Sequence, residues 1–414
     1  MEIREGYKQT EIGVIPEDWE CCVTAQILKK NDLSIKIGPF GSQLKKEKLD
    51  VNGPYKVYGQ ENVFKNNFTI GSRFISEEKF TELRSCELHE GDIVISMMGT
   101  IGKCAIVPKK YQPGIMDSHL IRLRIDTDTA IPDFTKYVIA ESELIQQQMK
   151  NLSVGGIMSG LSSNIIKQLI FVIPPISEQQ AIATALSDID GLINSLQKLI
   201  DKKKKIKQGA MQELLTGKRR LEGFSGRWNS NTIENTCDCL DHLREPLNEN
   251  TRINMQGKYP YCGANGILDY INDYRIDDEI ILIAEDGGYY DEYLTRPIAY
   301  KISGKCWVNN HAHILKAKKG FNQDYIFYSL VHKNILIHLA SGTRAKLNKS
   351  EMYKIALFFP PTIEEQTAIA NILSGMDSEI EALERKLNKY KDIKQGMMQE
   401  LLTGRIRLLE EAVP

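Results

Sequence analysis

IKQGAMQELLTG, residues 206–217, returns as IKQGMMQELLTG at residues 393–404, with eleven identities in twelve positions. At the same offset of 187 upstream, Ile182, Leu186, Ile189, Ile193, Leu196 and Ile200 are matched by Ile369, Leu373, Met376, Ile380, Leu383 and Leu387. Steps of four and three put these residues on one stripe of a helix, the seam along which it packs on another. Each copy opens on two prolines and a capping box: Pro174 and Pro175 with Ser177 and Gln180, then Pro360 and Pro361 with Thr362 and Glu365. Each closes on a glycine suited to a helix C-cap, Gly217 and Gly404. The enclosed run of about 39 residues makes a helix of roughly 60 Å, with Gly209 and Gly396 as expected interruptions near its end. One such helix alone reads as core packing. Two near-identical copies separated by unlike sequence predict an antiparallel pair joining two modules, with approximate two-fold symmetry inside one chain.

A chain of 414 residues, 42% apolar and 26% charged, has the composition of a globular protein with two or three domains. No apolar run approaches the ~20 residues that span a bilayer, and MEIREGYKQTEIG lacks a signal-peptide core. The expectation is a cytoplasmic protein with no membrane contact. Its eight cysteines are scattered without zinc-ribbon spacing, which predicts reduced thiols and no metal. The net charge of −1 gives no whole-molecule attraction to nucleic acid, so any such binding needs local patches.

The opening segment GYKQTEIGVIPEDWE (6–20) ends near Trp19, and RLEGFSGRWN (220–229) similarly places Trp228 before a second variable stretch. Each tryptophan reads as a core anchor. The expected division is 1–173 for the opening segment and a first domain, 174–217 for helix one, 218–359 for a link and a second domain, and 360–414 for helix two and a tail. Within the first variable region, GDIVISMMGTIGKCAIVP (91–108) alternates as two strands with a tight connection. HLIRLRI (119–125) is a strand with Arg122 and Arg124 on one face, 133–150 has helical spacing, and NIIKQLIFVIPP (164–175) reads as a buried strand. The second region repeats the order: YPYCGANG (259–266) for YGQENV (58–63), DDEIILIAEDGGYY (277–290) for GDIVISMMGT, WVNNHAHILKA (307–317) for DSHLIRLRI, DYIFYSLVHKNI (324–335) for the helix, and MYKIALFFPP (352–361) before helix two.

Catalytic signatures are missing. There is no G-x-x-x-x-G-K-[ST] loop and no G-x-G-x-x-G after a strand, so nucleotide and S-adenosylmethionine pockets have no support and no cofactor is expected. His311-x-His313 reads as a strand with both rings on one face rather than a metal site, and Glu285-Asp286 beside two glycines as a turn. Loops suited to a polyanion occur in both regions. KIGPFGSQLKKEK (36–48) joins backbone amides to Phe40, Ser42, Gln43, Lys45 and Lys46. Gln60 and Asn62 are of the side-chain types that pair with adenine, and lysines such as Lys103, near Thr100, neutralise phosphate. In region two the candidates are Tyr261, Asn265, Tyr289, His311, Thr343, Arg344 and Lys346. From Lys301 to Lys354 ten Lys/Arg stand against Asp324 and Glu351, while 229–300 is acidic, which predicts one basic face. The run Lys202–Lys205 on helix one reads as a solvated face.

GYKQTEIGVIPEDW, GPFGSQL, GDIVISMMGTIGK, PPISEQQAIA and IKQGAMQELLTG together resemble the specificity subunit of type I restriction–modification systems. The resemblance covers essentially the whole chain. It implies an α+β fold: two globular target-recognition domains joined by two long antiparallel, coiled-coil-like helices as a pseudo-two-fold internal repeat. It also implies a non-catalytic role on double-stranded DNA, each domain reading one half of a split site and the helices acting as a ruler. The implied partners are two modification subunits, which carry S-adenosylmethionine and methylate adenine, and restriction subunits. Two other classes stay open on the residues: a single-chain restriction–methylation enzyme, against which the absent motifs count, and a coiled-coil scaffold without a nucleic-acid role.

Overall fold

In the computed structural model, which describes residues 3–31, 33–39, 43–44, 52–153, 161–340 and 345–408, each repeat forms one helix of 39 residues, Ile176–Leu214 and Ile363–Leu401. Gly209 and Gly396 interrupt neither. A glycine costs a helix interior about 1 kcal/mol, and the burial of nearby Met211, Leu214 and Leu401 outweighs that. Thr362 caps the second helix, its hydroxyl accepting from Glu365 N at 3.3 Å. In the first helix Pro175 holds the matching place, 187 residues earlier. Its carbonyl accepts from Gln179 N at 2.9 Å. The expected Ser177–Gln180 box does not form, because Ser177 already lies in the first turn. Both helices end as expected on left-handed glycines, Gly217 and Gly404 at φ 69° and 70°. That conformation lets Arg219 N reach Glu213 O (3.2 Å) and Ile406 N reach Glu400 O (3.3 Å).

The chain divides into two compact units, Met1–Ser195 with Leu387–Pro414, and Leu196–Lys386, so each long helix gives one half to each unit. Unit one runs β1 (Tyr7–Thr10), β2 (Gly13–Pro16), β3 (Glu20–Val23), β4 (Ile35–Ile37), β5 (Tyr55–Tyr58), α1 (Gln60–Phe64), β6 (Phe74–Ile75), α2 (Glu77–Glu82), β7 (Ile93–Ser96), β8 (Cys104–Ile106), β9 (Gly114–Met116), β10 (Leu120–Leu123), α3 (Pro132–Glu141), α4 (Glu143–Ser153), α5 (Ser163–Gln168) and β11 (Ile170–Ile173) before α6, the first long helix. Its sheets are β1-β2, β3-β11, β4-β10-β7-β8 and β6-β5-β9. The helix expected over 133–150 is split at Ser142, and the strand expected from residue 164 starts as α5, strand geometry beginning only at Ile170. β7 is buried on both faces, with Ile93 and Ile95 in one core and Val94 in another, so it does not alternate polar with apolar as expected.

Unit two holds β12 (Asn229–Thr232), α7 (Ile233–Thr236), β13 (Cys237–Cys239), α8 (Glu249–Asn254), β14 (Gln256–Gly263), β15 (Gly266–Ile271), β16 (Ile276–Ala284), β17 (Ala299–Val308), β18 (Ala312–Ala317), α9 (Gln323–Leu330), α10 (Lys349–Tyr353) and β19 (Ala356–Phe359), leading into α11, the second long helix. β12 pairs with β19, and the main sheet is β13-β18-β16-β17-β14-β15. β16 repeats the double burial of β7: Ile281 and Ile283 face one core, Ile280 and Leu282 the other. No helix among the described residues is long and apolar enough to cross a membrane.

The same contacts tie each domain to its helix halves. Glu178, in the first turn of α6, accepts from Arg407 through both carboxylate oxygens (2.8 and 2.7 Å) and from Trp19 Nε1 (2.9 Å). Glu365 of α11 likewise accepts from Arg220 (3.0 and 2.8 Å). A carboxylate there also suits the helix N-terminus. Gln179 and Gln366 each accept a backbone N–H from the start of a domain helix, Ile131 N at 2.8 Å and Asn322 N at 2.9 Å. Tyr137 donates to Asp190, which pairs with Lys394; Tyr328 donates to Asp377, which pairs with Lys207. In unit two Lys203 and Lys204 pair with Glu379 and Glu384 of α11, so part of the lysine run is an inter-helix ladder rather than a free solvated face.

Candidate nucleic-acid interface

In unit two, four distant segments meet at one edge of the main sheet. The β17–β18 turn is an Asx turn: His311 N donates to Asn309 Oδ1 (2.9 Å), and Asn309 N donates to Cys262 O at the end of β14 (3.0 Å). His311 O then accepts from Glu285 N, just past β16, at 2.8 Å. Asn265, between β14 and β15, donates to Gly287 O (2.8 Å), a carbonyl presented by the left-handed Gly287, φ 66°. His311 Nδ1 sits 2.7 Å from Asp286 Oδ1, so the proton lies on Nδ1 and is given to the carboxylate. Lys346 Nζ pairs with Glu285 at 2.9 Å, and Leu347 N donates to Glu285 O. Tyr289 carries the Arg296 guanidinium 3.1 Å from its ring centroid.

Unit one builds the same edge from different residues. His119 N donates to Asp117 Oδ1 (3.0 Å), Asp117 N to Tyr58 O at the end of β5 (2.8 Å), and Met97 N, just past β7, to His119 O (2.9 Å). Gln60 Nε2 holds Met98 O at 2.6 Å. Ser96 donates to Thr100 O at 2.5 Å, closing the 97–103 loop through Gly99 and Gly102, both at positive φ. Thr100 and Lys103 are exposed on that loop. Arg73 bridges Asp117 and Glu61 behind it (3.0 and 3.1 Å).

Residues 35–208 and 228–391 match the type I restriction modification DNA specificity domain. The chain belongs to that family. It is 26% identical to a putative type I restriction enzyme MjaX specificity subunit of Methanocaldococcus jannaschii, over 98% of this chain and 97% of that one. A putative type I restriction enzyme specificity subunit of Haemophilus influenzae is 33% identical over 156 residues, 38% of each chain. The S subunit of a type I restriction–modification system from M. genitalium superposes with a TM-score of 0.64 at 15% identity, covering 97% of this chain and 98% of that one. The α+β fold with two long antiparallel helices and an internal repeat is thus the fold of a specificity domain pair.

Several residues expected at the specificity interface have other work. Asn62 is buried: its oxygen caps Gly59 N (2.9 Å) and its amide donates to Asn67 O and Ile70 O, leaving nothing for adenine. Tyr261 is buried too, its hydroxyl accepting from Leu247 N at 2.8 Å. The expected basic face is partly neutralised, because carboxylates of the acidic segment lie against three of its lysines. Lys316 pairs with Asp278, Lys346 with Glu285, and Lys301 with Glu279. Arg122 and Arg124 do share a face, but it is turned to Asp92 and the Glu87 carbonyl. Phe40, Ser42, Lys45, Lys46, Thr343 and Arg344 lie outside the described residues, while Gln43 is exposed.

The two histidines do not share a face either: His311 precedes β18 and is half exposed, whereas His313 is enclosed. His313 donates to Asp241 (2.7 Å) and to Leu347 O (2.8 Å). Burial opposes its charge, but hydrogen bonds to Asp241, Cys239 and Leu347 prevail and raise its pKa to about 9. Cys239, Asp241 and His313 bring three ligand-type atoms within 4.8 Å of one another. With both ring nitrogens engaged and Arg244 beside Asp241 and Glu285, the group is an ion network that pins the 345–348 segment. Sequence reading missed His119, the counterpart of His311. The alignment of DSHLIRLRI with WVNNHAHILKA carried that signal.

Proposed function

We propose that this chain reads a bipartite duplex site, the domain of 21–173 one half and that of 229–359 the other, as the non-catalytic specificity component of a type I complex. The observation that carries this reading is the repeated edge: Met97 N on His119 O and Glu285 N on His311 O set equivalent loops at equivalent places in domains of unlike sequence. Gln60, Thr100 and Lys103 line one edge, Asn265, Tyr289, His311 and Lys346 the other. Gln43 is proposed to read a base edge, and Lys45, Lys46 and Arg344, with Phe40, Ser42 and Thr343, to add contacts to the DNA that include its phosphates. The segments 174–217 and 360–414 serve as spacer helices.

Two copies of a modification subunit fit the duplicated grooves beside those helices. Gln395, Met398, Gln399, Leu402 and Thr403 floor one groove of about 390 Å³. Gln208, Met211, Gln212, Leu215 and Thr216, each 187 residues earlier, floor one of about 1090 Å³. Methyl transfer, with its S-adenosylmethionine, and cleavage by restriction subunits belong to those partners. Exchanging residues 21–173 for those of another family member should change one half of the methylated motif in the assembled complex. A change in both halves would refute the modular reading.

A further inference from the structure

The two edges share a backbone frame but present opposite chemistry at the same place. Residue 98 follows the amide that bonds His119 O, and residue 286 follows the amide that bonds His311 O, so Met98 and Asp286 hold the same position. We infer that the Asp286–His311 pair is the base-reading element of the second domain, taking an exocyclic amino group of adenine or cytosine, and that Met98 takes a thymine methyl in the first. This rests on the proposal that these edges face the duplex.

The donor inventory carries it. Asp286 uses Oδ1 for His311 Nδ1–H, and its Oδ2 has no hydrogen-bond partner among the described residues. The pair therefore leaves one carboxylate acceptor, Oδ2, held in place by His311, with the Asp286 and His311 side chains 29% and 49% exposed. In the major groove, a carboxylate acceptor matches the one N–H that adenine N6 or cytosine N4 leaves outside the base pair, and neither guanine O6 and N7 nor thymine O4. A carboxylate beside a phosphate is repelled, so Asp286 belongs at a base edge and not on the backbone. Met98, 41% exposed, offers no donor or acceptor from its side chain beyond a weak sulfur. An apolar contact there suits the thymine methyl.

The test is selection of bound sequences from randomised duplexes by the full chain in complex with its modification subunits. Asp286→Asn swaps one acceptor for a donor and should lower the preference at one base pair of one half-site by about tenfold to a hundredfold. Met98→Gln should alter one base pair of the other half-site and leave the first unchanged. Should Asp286→Asn fail to fold, judged by its thermal unfolding, His311→Gln provides the same readout while keeping the backbone turn at Asn309. Preferences unchanged at every position in folded variants, or a loss uniform over all sequences, would overturn the inference and leave the proposed function standing. A wild-type complex that selects no motif would overturn both.

Discussion

Two residues, 264–265, join β14 to β15 in unit two; fifteen, 59–73, join β5 to β6 in unit one and include α1. The strand β17 runs unbroken for ten residues and pairs with both β16 and β14. In unit one the same span is cut into β8, which pairs with β7, and β9, which pairs with β5. Pro108 and Pro113 flank the gap, and a proline cannot donate to a ladder. Yet the parallel registers Tyr58 with Met116 and Cys262 with Val308 are kept, and so are the bonds that fix His119 and His311. The lesson is that insertions are tolerated where they leave ladder hydrogen bonds intact. The frame is common and the side chains on it are free to differ.

The largest expected break in the symmetry lies at the helix starts. Glu178→Ala leaves Arg407 with Asp18 alone and strips Trp19 Nε1 and Leu408 N of their acceptor, whereas Glu365→Ala affects only Arg220, since Trp228 Nε1 is already without a partner among the described residues. Losses of about 3 and about 2 kcal/mol are expected, below the full cost of breaking a buried pair because the arginines are partly exposed. Hydrogen exchange of each unit's own amides reads the two values. Equal losses would show that the Trp19 and Leu408 bonds contribute nothing.

A smaller asymmetry depends on pH. His313 has a folded pKa of about 9 against an ordinary 6.5. Its contribution to unit two is fully present below the ordinary value and lost as pH rises through about 9. At the corresponding place unit one has Ile121, which does not titrate. Amide exchange in unit two should therefore quicken between pH 7 and 9.5 beyond the change in unit one, by a stability loss of about 2 kcal/mol or more. His313→Asn should flatten that slope; a slope unaltered by the substitution would remove His313 from the account.

The smallest effect tests what the units share. Four residues inserted beside Leu196 lengthen α6 by about 6 Å against about 3.4 Å of rise per base pair. They also rotate the downstream part of the helix by roughly 40°. The spacer of the methylated motif should grow by one or two base pairs with both half-sites unchanged. An unchanged spacer at full activity would sink the ruler reading.

The chain by itself settled the features that depend on pattern. The repeat at offset 187, the seam stripe, the terminal glycines and the order of strands and helices are all local or periodic, and the fold obeys them. Tertiary structure alone decided which polar side chains face outward. Asn62 and Gln60 stand two residues apart, yet the turn at 67–70 folds back to claim one amide and leaves the other at the edge. His311 and His313 likewise part at the first residue of β18, and Tyr261 is consumed by a backbone amide fourteen positions away. A buried polar group must find a partner, and that partner is supplied by segments distant in sequence, so exposure is a property of the assembled domain and not of the residue.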